Sequence, residues 1–192
     1  MHVLVVAAGI RALDPFTSFS EDRQLASENS HSYSEGDFFA VPLKSGGFGV
    51  GIAVCVGPRG TVVGRFFGPT REAVPTMDEL GNLTEDDSIH VEHFRDDGLK
   101  NGSWEVIGRH PMWDSYEWPI LKFGWFQTLA SGSGGKAFEM ELDEDLRTFR
   151  QKEISREQFE KLPYEGVVAS KAAEITLTLV LTRPGWKPKL PG

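Results

Sequence analysis

The chain has 192 residues, 40% of them hydrophobic, with 28 Asp and Glu against 20 Lys and Arg and a net charge of −8. A chain this long buries about 70% of its unfolded surface without a disulfide or metal staple. Its acidic balance opposes a nucleic-acid partner, because phosphates are bound through Lys and Arg with release of counterions. The one cysteine, Cys55, excludes an internal disulfide and, lying in an apolar run, reads as a small buried hydrophobe in a reducing compartment.

Residues 3–10, VLVVAAGI, lack a preceding Lys or Arg and a following cleavage site, so they do not read as a signal peptide. The run falls well short of the about 20 apolar residues that span a bilayer. Residues 11–34 turn polar and carry no pattern able to offset the entropy of ordering. The expected organisation is therefore a poorly ordered extension over 1–32, a single β-rich domain over 33–183 and a short tail over 184–192. Cytoplasmic location without a membrane partner is expected.

The first strong pattern is GDFFAVPLKSGGFGVGIAV, residues 36–54. Phe39, Val41 and Leu43 alternate with Phe38, Ala40 and Pro42, a strand with apolar residues on both faces. Pro42 cannot donate to a ladder and belongs at an edge or strand end. Lys44-Ser45-Gly46-Gly47 supplies turn chemistry. The next strand sets Phe48, Val50, Ile52 and Val54 on one face and Gly49, Gly51, Ala53 and Cys55 on the other. A strand bare on one side either bends sharply or lets a ring or another backbone lie against it. A phosphate cradle would need a helix start after the glycines, and residues 52–56 are strand-like instead.

Further strands are predicted over 61–67, 88–94 and 103–109, a spacing that favours an all-β sheet or barrel over alternating β-α units. Residues 111–126 are too aromatic for a solvated loop and are expected to cover an open end of the sheet. Residues 137–142 read as a strand with Phe138, Met140 and Leu142 inward and Glu139 and Glu141 outward. Residues 155–162 read as a short helix capped by Ser155 with Gln158 three residues on. For residues 172–181, Ile175, Leu177, Leu179 and Leu181 alternate as a strand would, while Ser170 followed by Lys-Ala-Ala-Glu looks like a helix start. The fold class is thus mainly β: a small curved antiparallel sheet or barrel-like core, with one or two short helices near the C-terminus.

Chemistry-bearing patterns are sparse. His90 and His93 would point to opposite faces of a strand, whereas metal ligands need a shared one. Residues 131–136, SGSGGK, miss the P-loop spacing, with Ala130 and Ala137 at the positions of its first Gly and its Ser/Thr. No Gly-x-Ser-x-Gly elbow is present. The abundant carboxylates lie among other charges rather than in surroundings that shift a pKa. No catalytic residue, metal or cofactor is expected.

Gly36-Asp37-Phe38-Phe39-Ala40-Val41-Pro42-Leu43, then Phe48-Gly49-Val50-Gly51, then Gly102-Ser103-Trp104-Glu105-Val106-Ile107-Gly108 resemble the immunity protein 26 family of bacterial polymorphic-toxin systems. Leu162-Pro163-Tyr164-Glu165-Gly166 and Ala173-Glu174-Ile175 fit its closing segment, so the resemblance covers residues 33–182. It implies a mainly β protein that neutralises a cognate toxin without catalysis, and it transfers no interface residues. A basic nuclease toxin would suit the acidic clusters at 78–97 and 139–145, which could steer association through Asp86, Asp87, Asp96, Asp97, Glu139 and Glu141. Solvated faces are the plainer account of such runs. Trp113, Tyr116 and Trp118 are either partner-facing anchors or a lid over the sheet. The competing classes are a small β-barrel module that binds a peptide or another protein and, further off, a hydrolase with convergent carboxylates in a deep pocket.

Overall fold

The hairpin at residues 37–57 forms as the alternation predicts. Strand β1 (Asp37–Pro42) pairs antiparallel with β2 (Phe48–Gly57), Phe39 opposite Gly51 and Val41 opposite Gly49. Gly46 and Gly47 take φ of 89° and 74° in the turn, a region open to glycine and strained for side chains with a Cβ. The computed structural model describes residues 32–119, 122–128 and 134–187. Residues 1–31 of the expected extension, 131–133 of the glycine-rich loop and 188–192 of the expected tail lie outside the described residues.

Strands β3 (Thr61–Arg71), β4 (Ser88–Arg95) and β5 (Glu105–Arg109) join the hairpin in a five-stranded antiparallel sheet ordered β4-β3-β2-β1-β5. A second antiparallel sheet contains β6 (Phe123–Thr128), β7 (Gly135–Leu142) and β8 (Thr148–Ile154). Among the described residues three helices are single turns, α1 (Met77–Leu80), α2 (Asp97–Lys100) and α3 (Arg156–Phe159). The longest among them is α4 (Ser170–Thr182). The protein is mainly β, and its two antiparallel sheets stay open, so the barrel does not form.

The five-stranded sheet is buried on both faces. On one, Phe38, Val50, Ile52, Val63 and Phe67 pack with Trp118, Phe123 and Leu146 from the second sheet and its approaches. On the other, Phe39, Val41, Phe66 and Phe94 pack with Trp104 and with Ala173 and Leu177 of α4. The bare face of β2 belongs to this second layer. A Cβ on Gly49 would meet Leu177 and Leu181 of α4, the nearest atom at 2.6 Å, and one on Gly51 would lie 2.5 Å from the Phe39 ring. The expected ring against the glycines is therefore present, together with a helix.

The regular alternation of β2 does not run to its end. The register shifts between Ala53 and Cys55, leaving Val54 as an extra residue, so Val54 and Cys55 both reach the first core and Val56 turns to the second. A bulge of this kind re-aims every side chain beyond it.

Residues 172–181 are helical. The buried positions of α4 are Ser170, Ala173, Glu174, Leu177 and Thr178, the one-sided spacing of a helix packed on a sheet. Thr178 and Thr182 donate their hydroxyls to the carbonyls of Glu174 and Thr178, each at 2.7 Å, so β-branched polar residues sit in the helix by bonding back onto it. Helix α3 has the expected capping box, with Ser155 Oγ accepting from Gln158 N at 3.2 Å and Gln158 Oε1 accepting from Ser155 N at 3.0 Å. Strand β8 was not expected: TFRQKEI is exposed along nearly its whole length, and a wet edge strand carries no apolar period to read.

Replacing Gly51 with alanine drives a methyl into a Phe39 ring that is 1% exposed and hemmed in by Phe66, Phe94 and Trp104. The expected cost is about 1–3 kcal/mol. Thermal unfolding should show a melting temperature lower by on the order of 5 °C, and an unchanged melting temperature would mean that the ring is free to move.

Candidate partner-binding surface

Arg65 organises the acidic end of β4. It is 5% exposed, and its guanidinium donates to Glu85 Oε2 at 2.7 Å, Ser88 Oγ at 3.3 Å and the Pro119 carbonyl at 3.3 Å. Burial lowers its pKa, and the nearby charges of Glu85 and Asp86 oppose that shift. Residues Glu85–Asp87 form a 3-10 turn and are tied to the aromatic segment through this one side chain. Asp87 accepts from the backbone N and hydroxyl of Thr84, both at 2.8 Å, and these bonds hold its carboxyl below the usual range. Asp86 and Asp87 are exposed, and among the described residues neither has a Lys or Arg within salt-bridge distance.

Asp96 and Asp97 have different surroundings. Asp96 is 4% exposed, accepts from Tyr33 Oη at 2.6 Å and pairs with Lys100 at 2.9 Å. Burial and then the Asp96 carboxylate push the Tyr33 phenol well above its ordinary pKa. Asp96 is an interior brace, closed to a partner. Asp97 is exposed and accepts from Ser170 Oγ at the start of α4. Sequence proximity to Asp86 and Asp87 thus does not translate into one acidic surface.

Glu139 and Glu141 project from β7 toward cations that the local sequence does not reveal. Lys122 approaches Glu139 at 2.8 Å and Glu141 at 3.1 Å, and Arg150 reaches Glu141 at 3.6 Å. The hydrogen bonds to both carboxylates raise the pKa of Lys122. This face of the second sheet is an alternating ion lattice, with its acids already partnered.

The aromatic segment divides into a lid and a tip. Trp118 is 3% exposed and stacks on the half-buried Trp113 at 5.8 Å between centroids. Trp118 also meets Phe67 edge-on at 6.2 Å. Tyr116, between them in sequence, is 92% exposed.

Sequence reasoning missed a groove of about 600 Å3 beside β4. Its walls are residues 88–92, the loop through Leu162 and Tyr164, Thr176 and Val180 of α4, and Trp186. Ile89 and Tyr164 in these walls are 48% and 38% exposed. The alternation of β4 was legible, but its place at the sheet edge depends on strand order. His90 and His93 lie on opposite faces of β4 as expected. His90 pairs with Glu92 at 3.2 Å and His93 with Glu165 at 3.3 Å. No group of three or more His, Cys, Asp or Glu among the described residues could hold a metal ion, and no helix among them is long and apolar enough to cross a membrane.

Cys55 is buried, with its thiol donating to the Glu144 carbonyl at 3.4 Å. Burial first, then the Glu35 carboxylate, push its pKa up to about 12. The thiol should resist alkylation at pH 8 in the folded chain and react on unfolding; native labelling at the rate of a free thiol would contradict this. With the folded pKa raised, the stabilising contribution is complete below the unfolded pKa near 9 and is lost as pH climbs toward 12.

Trp118→Ala should cost about 3–5 kcal/mol, whereas Tyr116→Ala should leave melting within about 0.5 kcal/mol of the parent. Chemical denaturation of the two variants checks the division, and equal losses would make the whole segment structural.

Residues 34–135 of the chain match the family model described as Immunity protein 26. Searches of curated proteins and of solved structures find no match.

Proposed function

The chain belongs to the immunity protein 26 family, and from that premise we propose that it binds a cognate bacterial toxin and neutralises it without catalysis, by covering the surface with which the toxin works. The family match carries this reading. A blocker needs a rigid body and an exposed interface of about 1,600 Å2 in total. A sheet packed on both faces suits the first requirement. For the second, the exposed groove beside β4 and the free carboxylates of Asp86 and Asp87 are suitable elements. The proposed place of action is the cytoplasm of the cell that makes the toxin.

The net charge of −8 favours a basic toxin, such as one that cuts nucleic acid. Steering would then rest on Asp86 and Asp87, which face solvent and among the described residues form no ion pair, rather than on Asp96, which is internal, or on Glu139 and Glu141, which Lys122 and Arg150 partly neutralise. Tyr116 is the proposed aromatic anchor of the neighbouring loop.

Co-expression supplies the direct test: the chain should rescue cells from the toxin encoded beside its gene, and the two should co-purify. Growth arrest despite normal expression of the chain would end this reading. Replacing Asp86 and Asp87 together with lysine should slow association about tenfold or more at low salt, with the difference shrinking as salt is added. Stopped-flow kinetics at two ionic strengths measures it, and an unchanged rate would remove steering from this turn.

A further inference from the structure

The open half of the β4 edge is built to accept another strand. Val168 shows how the edge pairs: Arg95 N donates to the Val168 carbonyl at 2.7 Å, and Val168 N donates to the His93 carbonyl at 3.0 Å. His93 and Arg95 therefore turn these polar groups away from β3. Backbone direction alternates along a strand, so Val91, two residues before His93, presents its N–H and C=O to the same side. Among the described residues nothing pairs with β4 there. The chain before Val168 leaves β4 and crosses to the second sheet, where Gly124 N donates to the Pro163 carbonyl and Glu165 N to the Gly124 carbonyl, both at 2.7 Å.

That departure opens the groove. Residues 88–92 form one wall, and Tyr164, Val180 and Trp186 supply apolar surface opposite and beneath. Ile89, 48% exposed, occupies the irregular step in the β3–β4 register and leans on no ladder partner. The groove's wall along β4 starts at Ser88, the residue that follows the turn of Glu85–Asp87. An unpaired edge, an adjoining groove with apolar walls at Ile89, Tyr164, Val180 and Trp186, and a turn whose acids Glu85, Asp86 and Asp87 outnumber its one nearby cation, Arg65, are thus neighbours along β4.

We propose that this edge is where the toxin docks, by laying an extended segment of its own chain beside β4 as an added strand. The segment has apolar or β-branched residues at alternate positions, which enter the groove, and Lys or Arg at the end that meets Asp86 and Asp87. Main-chain bonds to Val91 give the affinity in this mode, and the side-chain pockets give the selectivity. The acidic turn complements the basic flank, and the mixed charges of Glu92 and Glu160 against Arg65, Lys161 and Lys187 along the groove accommodate a neutral middle. This inference rests on the immunity reading and names the surface that carries it out.

Amide hydrogen exchange on the full-length chain, free and with an excess of the inactivated toxin domain encoded beside it, tests the proposal. In the free chain the Val91 amide should exchange rapidly, and in the complex it should slow by about 100-fold or more. Val91→Pro removes the donor at an edge position where proline is tolerated; it should weaken binding by at least about 30-fold, a factor in the range set by losing a hydrogen bond and the surrounding fit. Ile89→Lys, at an exposed side chain, is the second variant and should weaken binding comparably even if the proline variant unfolds. Slow Val91 exchange in the free chain overturns the proposal, because the edge is then already covered. A tight complex in which Val91 exchange is unchanged, or which tolerates Ile89→Lys, overturns edge docking alone and leaves the immunity reading standing. A toxin domain that never binds the parent chain overturns both.

Discussion

How closely other groups can approach β2 governs both halves of the structure. Gly49 and Gly51 remove two side chains from one face of the central strand, and that space holds the Phe39 ring and the side chains of Leu177 and Leu181. On the opposite face Val50 and Ile52 remain bulky and receive the second layer. The same short run of sequence thereby permits close packing by a helix on one side and a broad apolar contact on the other. Dense packing on both sides makes such a sheet stiff.

Buried charges then fix how the peripheral pieces attach. Glu174 of α4 is 2% exposed and accepts from Trp104 Nε1 at 3.1 Å and from Lys171 at 3.0 Å, with Lys44 at 3.5 Å on its other oxygen. This carboxylate ties the helix to the loop after β1 and to the second core. Arg65 does the corresponding work on the opposite face. A buried charge without its partner is strongly unfavourable, so each of these groups permits one arrangement of its neighbours and penalises others.

These junctions also explain why the open edge of β4 falls where it does. The loop through residues 163–168 bonds to β6 at Gly124 and to β4 at His93 and Arg95. It cannot lie along all of β4 and reach β6 as well. The part of the edge it leaves open adjoins the acidic turn held by Arg65. The proposed docking surface is thus a consequence of how two sheets are joined, and an immunity role in the family sense requires no catalytic group from it.

Much of the fold was readable because it depends on local periods. Alternation located β1 to β5 and β7, glycines marked the first turn, and Ser155 with Gln158 marked α3 through a cap that is complete within four residues. Residues 172–181 were ambiguous because Ile175, Leu177, Leu179 and Leu181 alternate as in a strand while Ser170-Lys-Ala-Ala-Glu reads as a helix start. Only the sheet beneath α4 decides, since burial of Ala173, Glu174 and Leu177 on one side requires the helical spacing. Strand β8 carried no apolar period, and its pairing with β7 is a tertiary fact. Of the candidate site residues, side-chain type was legible but exposure was not: Trp118 and Asp96 are interior, Glu139 and Glu141 meet Lys122 from just before β6, and Tyr116, Asp86 and Asp87 face solvent. Local sequence determined which segments could be strands, turns and caps, because those preferences act within a few residues. Strand order, the open edge and the partners of each charge were decided by tertiary structure, because they depend on contacts between residues far apart in the chain.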